Sequence, residues 1–172
     1  STPKDEPAAF NKLKTFFVIG KFEVLHHTQF LDTAIQEGKL VPNKPIDIDV
    51  TYHDSCYLGR INNEYDAPRN VLNSIPGLNI IEMDRNKSKG LCCGAGGGNM
   101  WQEEVGARRV NHVRSEEAID TGADELVSNC PFCIQMFEDG VPSVEPNEEN
   151  RIKPFDIAEV LYESIDSLPE EN

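Results

Sequence analysis

The spacing of apolar and polar residues changes from one segment of the chain to the next, as it does in folds that alternate helices with strands. In residues 28–37 the apolar side chains recur three or four positions apart, which predicts a helix that Thr28 caps and Gly38 ends. Residues 46–53 instead alternate apolar with polar side chains, which predicts a strand with one buried face.

The middle of the chain continues this alternation. A short helix predicted to begin at Asp66 leads to a strand over residues 78–83, whose mostly apolar sequence indicates deeper burial than in the first strand. Residues 100–121 lack proline and are rich in Glu, Arg and Ala, which predicts one long helix ending at Gly122. A third strand is expected over residues 123–128.

The last part of the chain predicts two helices and a strand. Pro131 suits the first turn of a short helix, and the acidic, proline-bearing residues 139–150 predict a surface loop. Residues 152–155 favour a fourth strand, although Pro154 weakens that pattern. Apolar residues between positions 157 and 168 then mark one face of a C-terminal helix.

Alternating strands and helices predict the α/β class, with a parallel sheet of about four strands and helices on both faces. A chain of 172 residues fits one domain with a sizeable core. We assign this domain to residues 10–168, between a flexible lead-in over residues 1–9 and a frayed tail over residues 169–172.

The charge of the chain narrows its function class. The sequence has 30 acidic against 16 basic residues, a formal net charge of −14. Such a field repels phosphate and argues against unaided binding to nucleic acid or an anionic membrane. The longest apolar run, residues 16–19, is far shorter than a membrane span, and no basic-then-apolar signal peptide opens the chain. We expect a cytoplasmic protein without a nucleic-acid partner.

The candidate chemistry lies in five cysteines, an odd number that fits metal ligation in a reducing compartment better than a disulfide scaffold. Their spacing is Cys-x35-Cys-Cys-x36-Cys-x2-Cys, formed by Cys56, Cys92, Cys93, Cys130 and Cys133. Each group follows one of the first three predicted strands. Because the carboxyl ends of parallel strands meet at one edge of a sheet, the thiols are expected to converge there.

Other interpretations of the cysteines stay open from the residues alone. The Cys130–Cys133 pair is also the spacing of a thioredoxin-like redox motif, and buried cysteines are common in ordinary cores. Cys92 and Cys93, being adjacent, favour ligation of two metals in one cluster, or of one metal and a substrate. His53 lies three residues before Cys56. It could ligate zinc, but its outward strand position favours a hydrogen bond to a ligand sulfur.

A glycine-rich loop over residues 94–98 follows the cysteine pair. Its backbone, above all at Gly94, Gly96 and Gly97, could direct amides at sulfur atoms or at an anionic ligand. A phosphate or dinucleotide loop is the rival interpretation, but Asn99 occupies the third glycine position of GxGxxG. Residues 85–114 carry a net charge of +4, which would compensate an anionic cluster or face solvent. Trp101, beside the loop, could shield the site from water, but ordinary packing is the favoured interpretation.

Three segments together resemble a known family. Residues 51–60 (TYHDSCYLGR), 92–98 (CCGAGGG) and 130–133 (CPFC) are similar to the cysteine-rich CCG domain, and all five family cysteines have a counterpart here. The family includes one of the subunits of heterodisulfide reductase, the iron–sulfur subunits of glycolate and lactate oxidation, and iron–sulfur oxidoreductases linked to electron-transfer flavoprotein. The resemblance runs from about residue 10 to residue 165.

The resemblance implies a Rossmann-like domain whose five cysteines bind a [4Fe-4S] cluster of the non-cubane type, or zinc in some members. Members usually carry two such domains in tandem, and this chain resembles the second. The flavoprotein-linked branch has a further CxxC before the His26–His27 pair, where this chain has EPAAFN over residues 6–11. One cluster is therefore expected within this chain.

The function so implied is that of an oxidoreductase component which is not active alone. It would relay electrons between a flavin-containing partner, or another iron–sulfur subunit, and a quinone or disulfide acceptor. Attachment to a membrane could come through a membrane-bound partner or through an N-terminal region missing from this sequence. The runner-up is a zinc-binding or metal-free domain for subunit contact. No catalytic residue is assigned.

Overall fold

The computed structural model describes residues 23–102 and 108–166, so the predicted lead-in and tail lie outside the described residues. A parallel four-stranded sheet has the order β2-β1-β3-β4. The strands are β1 (Ile48–His53), β2 (Leu78–Ile80), β3 (Glu125–Ser128) and β4 (Lys153–Asp156). The α-helices are α1 (His27–Gln36), α2 (Asp66–Asn73), α3 (Val110–Ile119), α4 (Pro131–Val144) and α5 (Ile157–Glu163).

Helices cover both faces of the sheet, which confirms the predicted α/β architecture. On one face, Val50, Tyr52 and Val127 pack against α1, α2 and α5. On the other face, Leu126 packs with residues of α3 and α4 such as Ala118 and Phe137. Within the described ranges, no helix has both the length and the apolar composition needed to cross a membrane.

The central strand β1 is buried on both faces in its second half. Val50, Thr51, Tyr52 and His53 are each at most 1% exposed, although apolar and polar residues alternate there. Parallel sheets with helices on both faces bury their central strands in this way. Alternation therefore identified the two faces of β1 correctly, but wrongly predicted that the polar face meets solvent.

Helix α1 begins one residue earlier than predicted, and His26 caps it in place of Thr28. The His26 side chain accepts a hydrogen bond from the Thr28 amide, while the Gln29 side chain bonds back to the His26 amide. Thr28 itself is buried. Gly38 follows the helix with φ +70°, which agrees with its predicted role as the stop.

The capping imidazole should make stability pH-dependent. Burial, followed by the charge of His27, lowers the pKa of His26 to about 4. Above about pH 6.5 the ring is neutral in both the folded and unfolded chains, and the cap is intact. As the pH falls from there towards 4, the unfolded chain binds the proton first and stability decreases. Because the ring is half-exposed, we expect a loss of about 1 kcal/mol.

Urea unfolding at about pH 7 and about pH 4.5 measures this loss for the natural chain and for His26→Asn. Asparagine caps helices without titrating. The natural chain should therefore lose more stability on acidification than the variant. Equal losses in the two proteins would contradict the assignment of His26 as a titrating cap.

The helix predicted over residues 100–121 was wrong at the described residues that precede α3, namely residues 100–102 and 108–109. Residues Gly96–Trp101 form a 3-10 segment, Gln102 is extended, and α3 begins only after the extended Arg109. The high content of Glu, Arg and Ala raised the helix propensity, but propensity is a weak guide where tertiary contacts decide. Gly122 ends this region with φ +70°, as predicted.

Two further elements differ from their predicted lengths. Strand β2 is only three residues long and part-exposed, because it is an edge strand. Helix α4 is longer than expected and runs through Gly140 and Pro142, where a surface loop was predicted. Phe137, Gly140 and Val141 are buried along α4, so tertiary packing stabilises a segment that its glycine and proline alone disfavour.

Candidate metal centre

All five cysteines lie at the carboxyl edge of the sheet. Cys56 follows β1 and precedes a π-helical turn, Tyr57–Ile61. Cys130 is the residue before α4, and Cys133 lies in the first turn of that helix. Cys92 and Cys93 lie in the loop between β2 and the glycine-rich segment. The predicted convergence at this edge is therefore observed.

Four of the five thiols line one cavity of about 240 Å³, namely those of Cys56, Cys93, Cys130 and Cys133. Gly96 and Gly97 from the candidate loop also line it. The fifth thiol lies to one side. Cys92 Sγ accepts a hydrogen bond from the Gly94 amide at 3.3 Å, and the Cys92 thiol bonds to that of Cys93.

Cys93 is the centre of a hydrogen-bonded group of thiols. Bonds from the thiols of Cys133 and Cys92, and a further bond with His53, lower the pKa of Cys93. The pKa of Cys133 is raised by its bonds to Cys130 and Cys93, and that of Cys92 by its bond to Cys93. Protons are thus retained on some thiols so that neighbouring sulfurs can carry negative charge.

Backbone amides add further stabilisation of negative sulfur. The pKa of Cys130 falls to about 6, first through its bond with the Cys133 thiol and then through the amides of Cys133 and Phe132 at the start of α4. The Ala95 amide acts on Cys93, and the amides of Gly94 and Gly96 act on Cys92. The glycine-rich loop thus directs its amides at sulfur atoms.

Gly94 is required by both conformation and space. Its φ is +99°, in the left-handed region that side chains disfavour. A Cβ atom there would lie 3.3 Å from the Asn111 amide nitrogen and 3.3 Å from Met136 Cε. Glycine therefore lets the loop pack against the start of α3 and still return towards Cys92.

His53 is buried beside the thiols, which corrects the outward position expected from the strand alternation. It is 1% exposed, because α3 and α4 cover its face of the sheet. One ring nitrogen and the Sγ atoms of Cys93 and Cys133 all lie within 4.8 Å of one another. Burial lowers the pKa of the imidazole, so the ring is neutral at pH 7.

Several residues that position the site were not predicted from the sequence. Asp54 lies two residues before Cys56, and its carboxylate accepts hydrogen bonds from both terminal nitrogens of Arg69, at 2.8 and 3.0 Å. It also accepts a hydrogen bond from the Lys87 amide, at 2.6 Å. Arg60 donates to the carbonyl of Gly90, at 2.6 Å. These bonds join the loop after β1 to the loop that carries Cys92. Asp54 and Arg60 both lie in segment 51–60, which carried the family resemblance, and this was the sequence signal that could have identified them as residues of the site.

The basic residues of segment 85–114 do not act as one group. Arg108 and Arg109 pair with Glu116 and Asp139 at the surface, as water-facing charges do. Arg114 is fully buried and donates to His53 Nδ1 at 3.1 Å.

Exposed aromatic side chains surround the opening of the cavity. Tyr57, Trp101 and Phe132 line it, yet they are respectively 70%, 81% and 57% exposed. The favoured interpretation of Trp101 as an ordinarily packed residue was therefore wrong, and its ring lies beside the cavity.

The donor set fits a metal group with several positions. Soft thiolates are the ligands that iron–sulfur clusters and zinc prefer. Thiols this close cannot all ionise side by side, but coordination to a metal removes their protons. Four thiols line the cavity and Cys92 adjoins Cys93, which is one thiol more than the four ligands that close a structural zinc site. The number of thiols therefore favours a cluster over a single ion.

Curated proteins provide an independent comparison. The chain is 42% identical over 162 residues to the "Probable iron-sulfur-binding oxidoreductase FadF" of Bacillus subtilis, covering 93% of this chain and 23% of that protein. It is 44% identical over 154 residues to the EtfAB:quinone oxidoreductase of Syntrophomonas wolfei, covering 86% and 21%. It is 42% identical over 144 residues to a subunit of the dihydromethanophenazine:CoB–CoM heterodisulfide reductase of Methanosarcina barkeri, covering 84% and 34%.

The chain thus spans between about a fifth and a third of the length of these relatives. The sequence model of the CCG cysteine-rich domain family matches residues 50–138. This segment is just over half of the chain and contains all five cysteines. Each of the three segments that suggested the resemblance contributes residues to the lining of the cavity. The chain belongs to the CCG cysteine-rich domain family.

Proposed function

We propose that this chain is an iron–sulfur electron-transfer domain of an oxidoreductase, with Cys56, Cys92, Cys93, Cys130 and Cys133 as the cluster ligands. The cluster we propose is a [4Fe-4S] cluster of the non-cubane type. When bound, it would accept and release single electrons. The amides of Gly94 and Gly96, together with the lining at Gly97, belong to the proposed cluster environment.

One observation carries this proposal: thiols that are distant in sequence line one cavity. Cys56, Cys93 and Cys130 come from the loops after β1, β2 and β3, and Cys133 comes from the first turn of α4. Cys92 contacts Cys93 from the side. A redox-active CxxC pair would not need Cys56 or the 92–93 pair at the same cavity. A phosphate loop would not aim its amides at sulfur. Three named relatives that are oxidoreductases, or subunits of one, support the same function.

Iron and acid-labile sulfide should both be found in the anaerobically prepared chain, with a brown colour. The physical reason is that the closely spaced thiols need a multivalent cation to ionise together. Metal and sulfide analysis with a visible spectrum measures this outcome. Aerobic preparation is not an adequate test, because exposed thiolates oxidise. Stoichiometric zinc without sulfide, under anaerobic conditions, would contradict the proposal.

The names of the relatives support a proposal for the electron donor and acceptor. EtfAB:quinone oxidoreductase points to a flavoprotein donor and a quinone acceptor, and heterodisulfide reductase points to a disulfide acceptor. We propose a flavin-containing partner, or another iron–sulfur subunit, on one side of this domain and such an acceptor on the other. Reoxidation of two reduced, loaded chains by one molecule of a soluble quinone or of the CoM–CoB heterodisulfide would distinguish the two acceptors. Each cluster gives one electron, and each acceptor takes two electrons with two protons from solvent to form a hydroquinone or two thiols.

We propose that the domain lies in the cytoplasm. All five cysteines are free, as expected in that reducing compartment. We assign one cluster domain to residues 10–168.

A zinc site is the second candidate, and one observation favours it. His53, Cys93 and Cys133 offer three ligand atoms within 4.8 Å of one another. With Cys130 they would form a Cys₃His set, which is a common structural zinc site. This candidate requires a ring nitrogen of His53 to be free for the metal. The hydrogen bonds of that ring therefore decide between the two candidates.

A further inference from the structure

Arg114 connects helix α3 to the cysteine group through a buried hydrogen-bond chain. Its side chain is 0% exposed. The Nε group donates to His53 Nδ1 at 3.1 Å, and Nη1 donates to the Arg85 carbonyl at 2.9 Å and to Glu117 Oε2 at 2.7 Å. Glu117 also pairs with Arg85, which holds the Glu117 carboxylate in place beside the Arg114 guanidinium. These hydrogen bonds fix the direction of the Arg114 side chain.

The chemistry of arginine fixes the proton on the His53 ring. A guanidinium has only donors, so the Nδ1 atom that faces Arg114 must accept and cannot carry a proton. A neutral imidazole with a bare Nδ1 carries its proton on Nε2. The ring also lies beside the Cys93 thiol, with a ring nitrogen and Cys93 Sγ within 4.8 Å of each other, and this contact acts on the pKa of both groups. Because Nδ1 is occupied by Arg114, Nε2 is the nitrogen available to that sulfur.

Packing holds the ring in this orientation. His53 meets the ring of Phe137 edge to face, with centroids 5.0 Å apart. Its position at the end of β1, opposite Ser128 of β3, keeps the backbone in the sheet. Rotating the ring would break its contacts with Arg114 and Cys93 together.

We infer that Arg114 is a positioning residue that locks His53 in the Nε2-protonated form, so that the ring donates a hydrogen bond to Cys93 and is not itself a metal ligand. This inference rests on the proposed function for its redox consequence, but the tautomer stands on the hydrogen bonds alone. A metal on Nε2 would move the ring proton to Nδ1, against the Nε–H donor of Arg114. The geometry therefore disfavours the Cys₃His zinc site.

The tautomer can be read directly by ¹⁵N NMR of the imidazole in the full chain loaded with zinc, which is diamagnetic. We expect a protonated Nε2 and a bare, hydrogen-bonded Nδ1. Arg114→Met should remove the hydrogen bond to Nδ1 and give a mixture of the two imidazole tautomers. Arg108→Met is the matched control, since Arg108 pairs with Glu116 at the surface and lies outside the hydrogen-bond chain from Glu117 through Arg114 to His53. It should leave the ring pattern unchanged.

The redox consequence is tested in the anaerobically loaded chain. A donor to a ligand sulfur stabilises the reduced, more negative state. His53→Leu should therefore keep the metal and lower the midpoint potential by about 59 mV, a tenfold shift in a one-electron equilibrium. His53→Gln, which retains a donor, should shift it less. Arg114→Met should also lower it, through the lost positive charge as well as through His53, so for this variant the ¹⁵N pattern of the ring is the readout that identifies the positioning role.

Three results would overturn the inference. They are metal loss from folded His53→Leu and His53→Gln, a deprotonated Nε2 in the zinc-loaded chain, and a midpoint potential that does not respond to either His53 variant. Circular dichroism establishes that the variants are folded. If the natural chain carries no iron at all, the proposed function fails, while the zinc-loaded spectrum and the zinc content of the His53 variants still decide the inference.

Discussion

Cys93→Ser should lose nearly all of the bound iron, whereas Cys92→Ser should keep part of it with an altered spectrum. Cys93 is only 4% exposed, lines the cavity, and bonds to Cys92, Cys133 and His53. Serine replaces this sulfur with a hydroxyl that is not deprotonated at neutral pH and is a harder ligand. Cys92 lies to the side of the cavity but in contact with Cys93, so its loss should change the cluster without removing every ligand.

Iron content, acid-labile sulfide and the visible spectrum of anaerobic samples measure these effects. Far-ultraviolet circular dichroism is the control. The core on the opposite face of the sheet contains no cysteine, so helical structure should persist in both variants. Cys93→Ser with unchanged iron and spectrum would refute the role of Cys93. If Cys92→Ser left the iron content, sulfide and spectrum unchanged, ligation by four thiolates would be favoured. Cys92 would then be a candidate for thiol exchange or for packing. Unfolding on metal removal would show that the metal is structural.

Gly140→Ala should destabilise the fold by about 1–3 kcal/mol, although alanine is the better helix former. Helices α3 and α4 cross closely at this residue. A Cβ atom on Gly140 would lie 2.5 Å from Ser115 Oγ and 3.1 Å from the Asn111 carbonyl oxygen. The helices must separate to accept it. Because Cys133 lies on α4, metal binding should weaken as well.

A double-mutant cycle isolates this contact. The Ser115 hydroxyl is buried and has no hydrogen-bond partner among the described residues, so Ser115→Ala alone should be close to neutral. Combined with Gly140→Ala, it should recover a large part of the lost stability. Urea unfolding of the four proteins measures the coupling. If Gly140→Ala stabilised the chain by about 1 kcal/mol, as at an open helical site, the close crossing would be refuted.

The segments around the cysteines were predictable because their signals are local. Pro131 suits the first turn of α4, and Cys130 before it therefore lies at a helix start. The order of strands and helices places the loops after parallel strands at one edge, whatever the details of packing. The candidate site could therefore be located without coordinates. The unequal positions of Cys92 and Cys93 could not, since they depend on how the loop folds back on α3.

Helix lengths were the least predictable feature because they depend on distant contacts. Gly140 and Pro142 are helix breakers in isolation, yet α4 continues through them where Gly140 fits against α3. The Glu, Arg and Ala of segment 100–121 favour a helix, yet the extended Arg109 delays α3. Propensity contributes less than about 1 kcal/mol per ordinary residue, and burial against another element outweighs it.

The sequence by itself determined the α/β class, the parallel sheet and the meeting of five cysteines at its carboxyl edge. These follow from residue spacing and chain order. Only the tertiary structure decided that the polar face of β1 is covered, that His53 lies within the thiol group, and that Arg114 fixes its ring proton. A period of two residues assigns His53 to a face, but whether solvent or another helix meets that face depends on residues 61 positions away.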